Sequence, residues 1–211
     1  MKTKLFTLLF LFLTISVFAQ KKEVYLNDDL VQITASEFKK TKESRDFYDL
    51  QFELDTLIAN VKVKRDKKGK IALPVLDSLR THLSTISNTM IPNDHIIVIN
   101  YHFGPDPCFS SGDKSVRRAS YKRYLEKLNK IGNISQFFIY KSPQGTKDYG
   151  DQLSWIHDKF GTIEKTFLPL HYPCGSFILI DEEGNYYIRK GEYSPEFLIN
   201  LLKDRKKTFA N

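Results

Sequence analysis

Cysteine is nearly absent from this chain: Cys108 and Cys174 are the only two among 211 residues. Neither belongs to a Cys-x-x-Cys pair, and no His, Cys, Asp or Glu cluster has zinc-ligand spacing, which excludes zinc ribbons and fingers. A phosphate-binding glycine loop, a Gly-x-Ser-x-Gly elbow and a dinucleotide fingerprint are also missing, so no cofactor is expected. There is no internal repeat, no low-complexity tract and no Pro/Gly-rich linker. Nor does one sign of charge dominate, since 32 basic residues face 25 acidic ones.

The one long apolar run is at the N-terminus. Lys2 and Lys4 form a basic head, Leu5 to Phe18 is apolar apart from Thr7, Thr14 and Ser16, and Val17-Phe18-Ala19 offers small residues for a signal peptidase. The run is shorter than the about 20 residues of a spanning helix, and no cysteine follows it to carry a lipid. Residues 1–19 are therefore expected to be a signal peptide. The mature protein is expected to be secreted or periplasmic, with no stable membrane anchor once the signal is cleaved. Basic residues are densest in Lys62 to Lys70 and Lys203 to Lys207. Both read as solvated segments, a hairpin tip and a frayed end, rather than a nucleic-acid surface, so no nucleic-acid partner is expected. Oligomeric state is not readable from these patterns.

After the signal the chain is strand-like. Val24 to Leu26 and Val31 to Thr34 flank the turn residues Asn27-Asp28-Asp29, and Phe47 to Val63 carries two alternating runs whose phase slips at Asp55-Thr56. Asp66 to Gly69 reads as a turn. Residues 20–73 thus form an N-terminal β-rich extension. Pro74 opens a helix whose stripe is Val75, Leu79, Leu83 and Ile86. Ile96 to Tyr101 is a continuous β-branched run, as expected of a strand covered on both faces. Gly104 to Gly112 is a loop, Val116 to Leu128 a helix, Ile134 to Tyr140 a strand, and Tyr149 to Phe160 an amphipathic segment. Ser176 to Ile180 and Asn185 to Arg189 form a hairpin around Asp181-Glu182-Glu183-Gly184, and Ser194-Pro195-Glu196 caps a closing helix.

From Ile96 the order is strand, helix, strand, helix, strand, strand, helix, with a cysteine in the loop after the first strand. This order, together with Gly175-Ser176-Phe177-Ile178-Leu179-Ile180-Asp181-Glu182-Glu183-Gly184-Asn185 and the later Gly191, resembles the thioredoxin-like superfamily. The resemblance implies an α/β fold, a central mixed sheet flanked by helices, over residues 74–211. It also implies thiol–disulfide chemistry at the loop, although this chain lacks the family's Cys-x-x-Cys. Counted from Asn100, Cys108 falls at the resolving position; counted back from Phe137, it falls at the nucleophile of a Cys-x-x-Ser motif, and both registers stay open. Gly175 stands where the family has its cis-proline, unless a two-residue shift puts Pro173 there.

The resemblance places Cys108 and Cys174 at the same end of the sheet, where a disulfide is geometrically accessible. One reading is catalytic: Cys108 exchanges disulfides with a protein or peptide substrate, and Cys174 is its partner, helped by Lys114, Arg117 and Arg118 at the start of the helix and by His102 or His171 as a proton carrier. The alternative is a non-catalytic binding module with a structural Cys108–Cys174 bridge, using the aromatics Tyr101, Phe103, Phe109 and Tyr172.

Overall fold

The computed structural model describes residues 21–42, 44–106 and 113–210. The expected signal peptide lies outside them, and so does Cys108. Two compact units divide between Val63 and Lys64. No helix among the described residues is long and apolar enough to cross a membrane.

The N-terminal unit is a four-stranded sheet of β1 (Lys22–Asn27), β2 (Gln32–Ile33), β3 (Phe47–Glu53) and β4 (Leu57–Lys64), in the order β2-β1-β4-β3. The Asn27 side chain closes the first turn by accepting the Asp29 and Val31 N–H groups at 3.1 and 2.9 Å, which is how a short Asn side chain stands in for a backbone turn. The phase slip at Asp55-Thr56 is the tip of the β3–β4 hairpin, where the Leu54 N–H bonds the Leu57 carbonyl at 2.9 Å. A short helix α1 (Ala35–Lys40) escapes the hydrophobic pattern, yet Thr34 and Glu37 announce it as a capping box. Its buried Phe38 packs on Tyr25 at 5.1 Å and lies under the ammonium of Lys62, which pairs with Asp49.

The second unit is built on a six-stranded mixed sheet. Its strands are β5 (Asp66–Lys70), β6 (Ile96–His102), β7 (Ile134–Tyr140), β8 (Trp155–His157), β9 (Ser176–Ile180) and β10 (Asn185–Lys190), in the order β5-β10-β9-β6-β7-β8. β6, β7 and β8 run parallel, whereas β9 is antiparallel to β6, and β10 is antiparallel to β9 and β5. Helices α2 (Leu73–Ser87) and α3 (Lys114–Leu128) flank β6 in the chain, α4 (Thr162–Phe167) precedes β9, and α5 (Pro195–Lys203) and α6 (Arg205–Phe209) close it.

All seven residues of β6 are buried, as its unbroken apolar run requires. Ile96, Val98, Phe138, Phe177 and Leu179 form one core with Tyr124 and Leu128 of α3 and Leu198, Ile199 and Leu202 of α5. Each such side chain contributes roughly 1.5–3 kcal/mol by leaving water. Residues of opposite parity point to the other face, where Phe167 of α4 meets Tyr186 at 5.8 Å. The polar exception in mid-strand, Asn100, is paired at both ends of its side chain: its amide donates to Tyr193 Oη at 2.6 Å, and its carbonyl accepts from Gln136 Nε2 at 2.6 Å and Tyr124 Oη at 3.3 Å. Burial raises the Tyr121, Tyr124 and Tyr193 phenols above their ordinary pKa, so the network stays protonated.

Three readings of the sequence are corrected here. Asp66 to Gly69 is an edge strand rather than a turn: β10 supplies a full ladder, and Arg189 holds Asp66 through two contacts of 2.9 and 3.0 Å. Lysines on its outer side suit an edge, where charge discourages pairing with other chains. The tail is no frayed end either. It forms α6, and Lys68 ties that helix to β5 through the Lys207 and Ala210 carbonyls at 3.0 and 2.8 Å. Finally, Tyr149 to Phe160 is not a helix: a 3-10 turn over Thr146–Tyr149 stops at Gly150 (φ +101°), and Trp155–His157 becomes an edge strand on β7. Trp155 there packs against Phe138, Tyr149 and His102 at 5.4–5.7 Å between ring centroids, a burial that helical spacing would not provide.

Candidate functional site

The parallel β6–β7 pair and the antiparallel β9 bring the loop after β6 and the segment before β9 to one end of the sheet. The two are joined by Asp106. Its side chain is only 5 % exposed. One carboxylate oxygen accepts the Cys174 N–H at 3.0 Å, and the other meets His171 Nε2 at 2.8 Å. His171 in turn stacks on Phe103, with ring centroids 5.0 Å apart and planes 16° from parallel. A single carboxylate thus fixes both ends of the four-residue stretch His171-Tyr172-Pro173-Cys174.

Cys174 is half-buried and disulfide-bonded. Cys108, the other cysteine of the chain, lies outside the described residues. The backbone at Cys174 is left-handed, with φ +69°, and Gly175 follows at φ +81°. A left-handed conformation costs a non-glycine residue roughly 1–2 kcal/mol, so it persists only where its surroundings impose it. Here the Asp106 carboxylate and the disulfide do so. Gly175 has a second reason to be glycine, since a Cβ would lie 3.2 Å from the Tyr101 carbonyl oxygen. None of the described residues has a cis peptide bond, so neither Pro173 nor Gly175 reproduces the cis-proline of the resemblance.

The other residues singled out from sequence fall elsewhere. His102 is buried at the end of β6 and bonds the Gln144 carbonyl through Nε2 at 2.6 Å; burial pushes its pKa down, which marks it as a neutral packing residue rather than a proton carrier. Lys114 and Arg117 are engaged by Asp148, at 2.8 and 3.6 Å, and Arg118 by the Lys147 carbonyl at 3.2 Å. These cations serve to fasten α3 to the 3-10 turn. The hydrogen bond and charge of Lys114 hold the Asp148 carboxyl below its usual range. Tyr101, Phe103 and Tyr172 are core residues, 2 %, 3 % and 0 % exposed, and cannot form the aromatic docking face expected of them. Phe109, the fourth aromatic of that set, lies outside the described residues.

Beneath the segment, the buried Lys190 places Nζ 5.7 Å from the Tyr172 ring, and the Tyr101 hydroxyl donates to Asp158 at 3.2 Å. Sequence reasoning missed Asp106. Its only local signal is a carboxylate between two prolines just before a cysteine, and its partners are 65 and 68 residues away.

No family model matches the chain, and no curated protein does. Solved structures do. A secreted disulfide oxidoreductase from Mycobacterium tuberculosis, homologous to E. coli DsbE, is 10% identical and matches over 54% of this chain and 84% of its own, with a TM-score of 0.38. The exposed lipoprotein thioredoxin Etrx1 of Streptococcus pneumoniae is 13% identical over 74% of this chain and 99% of its own, with a TM-score of 0.38. A reduced 2-Cys peroxiredoxin from Plasmodium vivax is 13% identical over 76% and 80%, with a TM-score of 0.41. Strand order carries the assignment independently of these likenesses. A parallel β6–α3–β7 unit, then an antiparallel β9–β10 hairpin with β9 beside β6, then the closing α5, is the thioredoxin-like arrangement. The second unit has a thioredoxin-like fold, an α/β structure with a mixed sheet flanked by helices, as the sequence led us to expect.

Proposed function

We propose that this is an exported thioredoxin-fold protein that exchanges disulfides through Cys108 and Cys174, with a protein or peptide thiol as substrate. The observation that carries the reading is Cys174: disulfide-bonded, half-buried, and held by Asp106 at the end of the sheet where the loop bearing Cys108 leaves β6. In the exchange, a substrate thiolate attacks one sulfur of the bridge and the bonding pair departs on the other as a thiolate. A second substrate thiol then displaces the mixed disulfide. The substrate leaves oxidised, and the protein keeps two electrons and two thiols.

The test is a rate measurement. Native protein should catalyse the reduction of a model disulfide or the oxidation of a model dithiol, and Cys108→Ser should not; equal rates for the two would defeat the proposal. The same protein separates the alternative of a structural bridge in a binding module, which the missing Cys-x-x-Cys favours. An exchanging pair equilibrates with glutathione, whereas a permanent bridge has a potential below about −300 mV and resists it. A structural bridge closing so long a loop would stabilise the fold by about 4 kcal/mol on the chain-entropy model.

A further inference from the structure

We propose that α3, α5 and α6 form a cationic docking face for a bilayer rich in anionic phospholipid, on which the protein adsorbs reversibly and without an inserted anchor. Charge is not spread evenly over this chain. The three helices carry ten basic residues and two acidic ones, whereas all other positions together carry 22 basic and 23 acidic. The whole positive excess of the protein therefore sits on one helical layer.

The fold gathers that layer on one face of the six-stranded sheet. α3 and α5 cover the same core, and Lys127 pairs with Glu196 across them. α6 is fastened beside them: Thr208 Oγ1 donates to the Leu201 carbonyl at 2.8 Å, and Arg205 to the Gly132 carbonyl at 2.9 Å. Through Lys68 the basic run of β5 meets that of α6. Lys114, Arg117 and Arg118 are occupied at the 3-10 turn. Lys122, Arg123, Lys130, Lys203, Lys206 and Lys207 are exposed, and no carboxylate among the described residues lies within ion-pair distance of any of them. Glu126 and Asp204 are the acidic residues interspersed with these cations. A cation in a last turn suits the helix dipole, which accounts for Lys203. Lys122 and Arg123, in mid-helix, have no such role.

The chemistry of the face selects its occupant. Five of its six cations are lysines, compact charges on flexible stems that follow a diffuse field of phosphates rather than fork onto a single one. α5, α6 and the second half of α3 expose no large apolar side chain, so the face lies on headgroups and does not insert between them. α6 meets the turn that starts β7, whereas Cys174 precedes β9 at the other end of the sheet, so docking at α6 does not cover the cysteine.

The mature protein, from Gln20 on, is sedimented with vesicles of phosphatidylcholine containing about one-third phosphatidylglycerol, and with vesicles of phosphatidylcholine alone, at about 0.1 M salt. It should bind the anionic vesicles and not the neutral ones, and about 0.5 M salt should release it. A lysine beside an anionic surface strengthens binding about fivefold, so Lys203→Gln, Lys206→Gln and Lys207→Gln together should weaken it on the order of a hundredfold. Lys39→Gln, Lys40→Gln and Lys42→Gln remove the same charge from exposed positions of the N-terminal unit and should leave binding within about threefold. Equal losses in the two triple variants would make adsorption a matter of net charge and overturn the face. Binding to anionic vesicles no tighter than to neutral ones overturns it as well. A duplex oligonucleotide that binds at the same salt while the vesicles do not overturns the lipid assignment in favour of nucleic acid.

Discussion

Asp106→Ala should be among the costliest single changes outside the apolar core. The carboxylate is nearly buried and accepts two hydrogen bonds, from the Cys174 N–H at 3.0 Å and from His171 at 2.8 Å. A hydrogen bond to a charged group contributes about 1.5–3 kcal/mol, and the bond to the Cys174 amide is of this kind. The His171 contact is half-exposed and screened, so it adds under about 1 kcal/mol. Together they predict a loss of about 3 kcal/mol on urea unfolding with an unchanged m-value. Asp106→Asn should lose about half as much, because its amide oxygen still accepts from Cys174. The substitution should also expose the strained backbone at Cys174, so that residue's amide should lose its hydrogen-exchange protection. The effect should be larger with the bridge reduced, since the disulfide otherwise helps to hold φ at +69°. If Asp106→Ala unfolds within about 0.5 kcal/mol of the native protein and the Cys174 amide stays protected, the clamp does not hold this segment.

Gly175→Ala should destabilise by about 1–2 kcal/mol, because φ is +81° and the new Cβ would crowd the Tyr101 carbonyl; a neutral result in thermal unfolding would refute the backbone argument. Tyr193→Phe keeps the ring against Phe177 at 4.7 Å but strands the Asn100 amide, so it should cost about 1–2 kcal/mol, and an unchanged urea midpoint would show that water replaces the hydroxyl. His102 has a native pKa lowered by burial from 6.5, so the folded protein binds fewer protons there than the unfolded chain. Its contribution is complete above pH 6.5 and declines as pH falls from there toward the lowered native value. The acid limb of the stability curve should therefore flatten in His102→Gln over that window, and an identical slope in both proteins would count against a neutral buried imidazole.

Much of the second unit was legible because its elements carry strong periodic signals. The β-branched run at Ile96 fits a strand covered on both faces, and Ser194-Pro195-Glu196 fits the start of a helix. Failures came where pattern and partner disagree. Asp66-Lys67-Lys68-Gly69 has no apolar alternation, and it is a strand because β10 offers an unfilled ladder and Arg189 an ion pair. Leu153, Ile156 and Phe160 fit a helical stripe, and the edge of β7 with the aromatic cluster around Trp155 decided for a strand. Tyr101, Phe103 and Tyr172 looked like a docking surface since residue type alone does not say which side of a sheet end is covered.

The sequence by itself determined the order of elements around Ile96 and the Ser176–Asn185 hairpin, because local periodicity, turn residues and caps act within a few residues of one another. It also singled out Cys108 and Cys174 as the residues to watch. Tertiary structure alone decided what surrounds Cys174. Asp106, His171 and Phe103 converge only because β6 and β9 lie side by side and antiparallel, so that the end of one meets the beginning of the other. The carboxylate's two bonds then fix a left-handed cysteine that no local preference would choose.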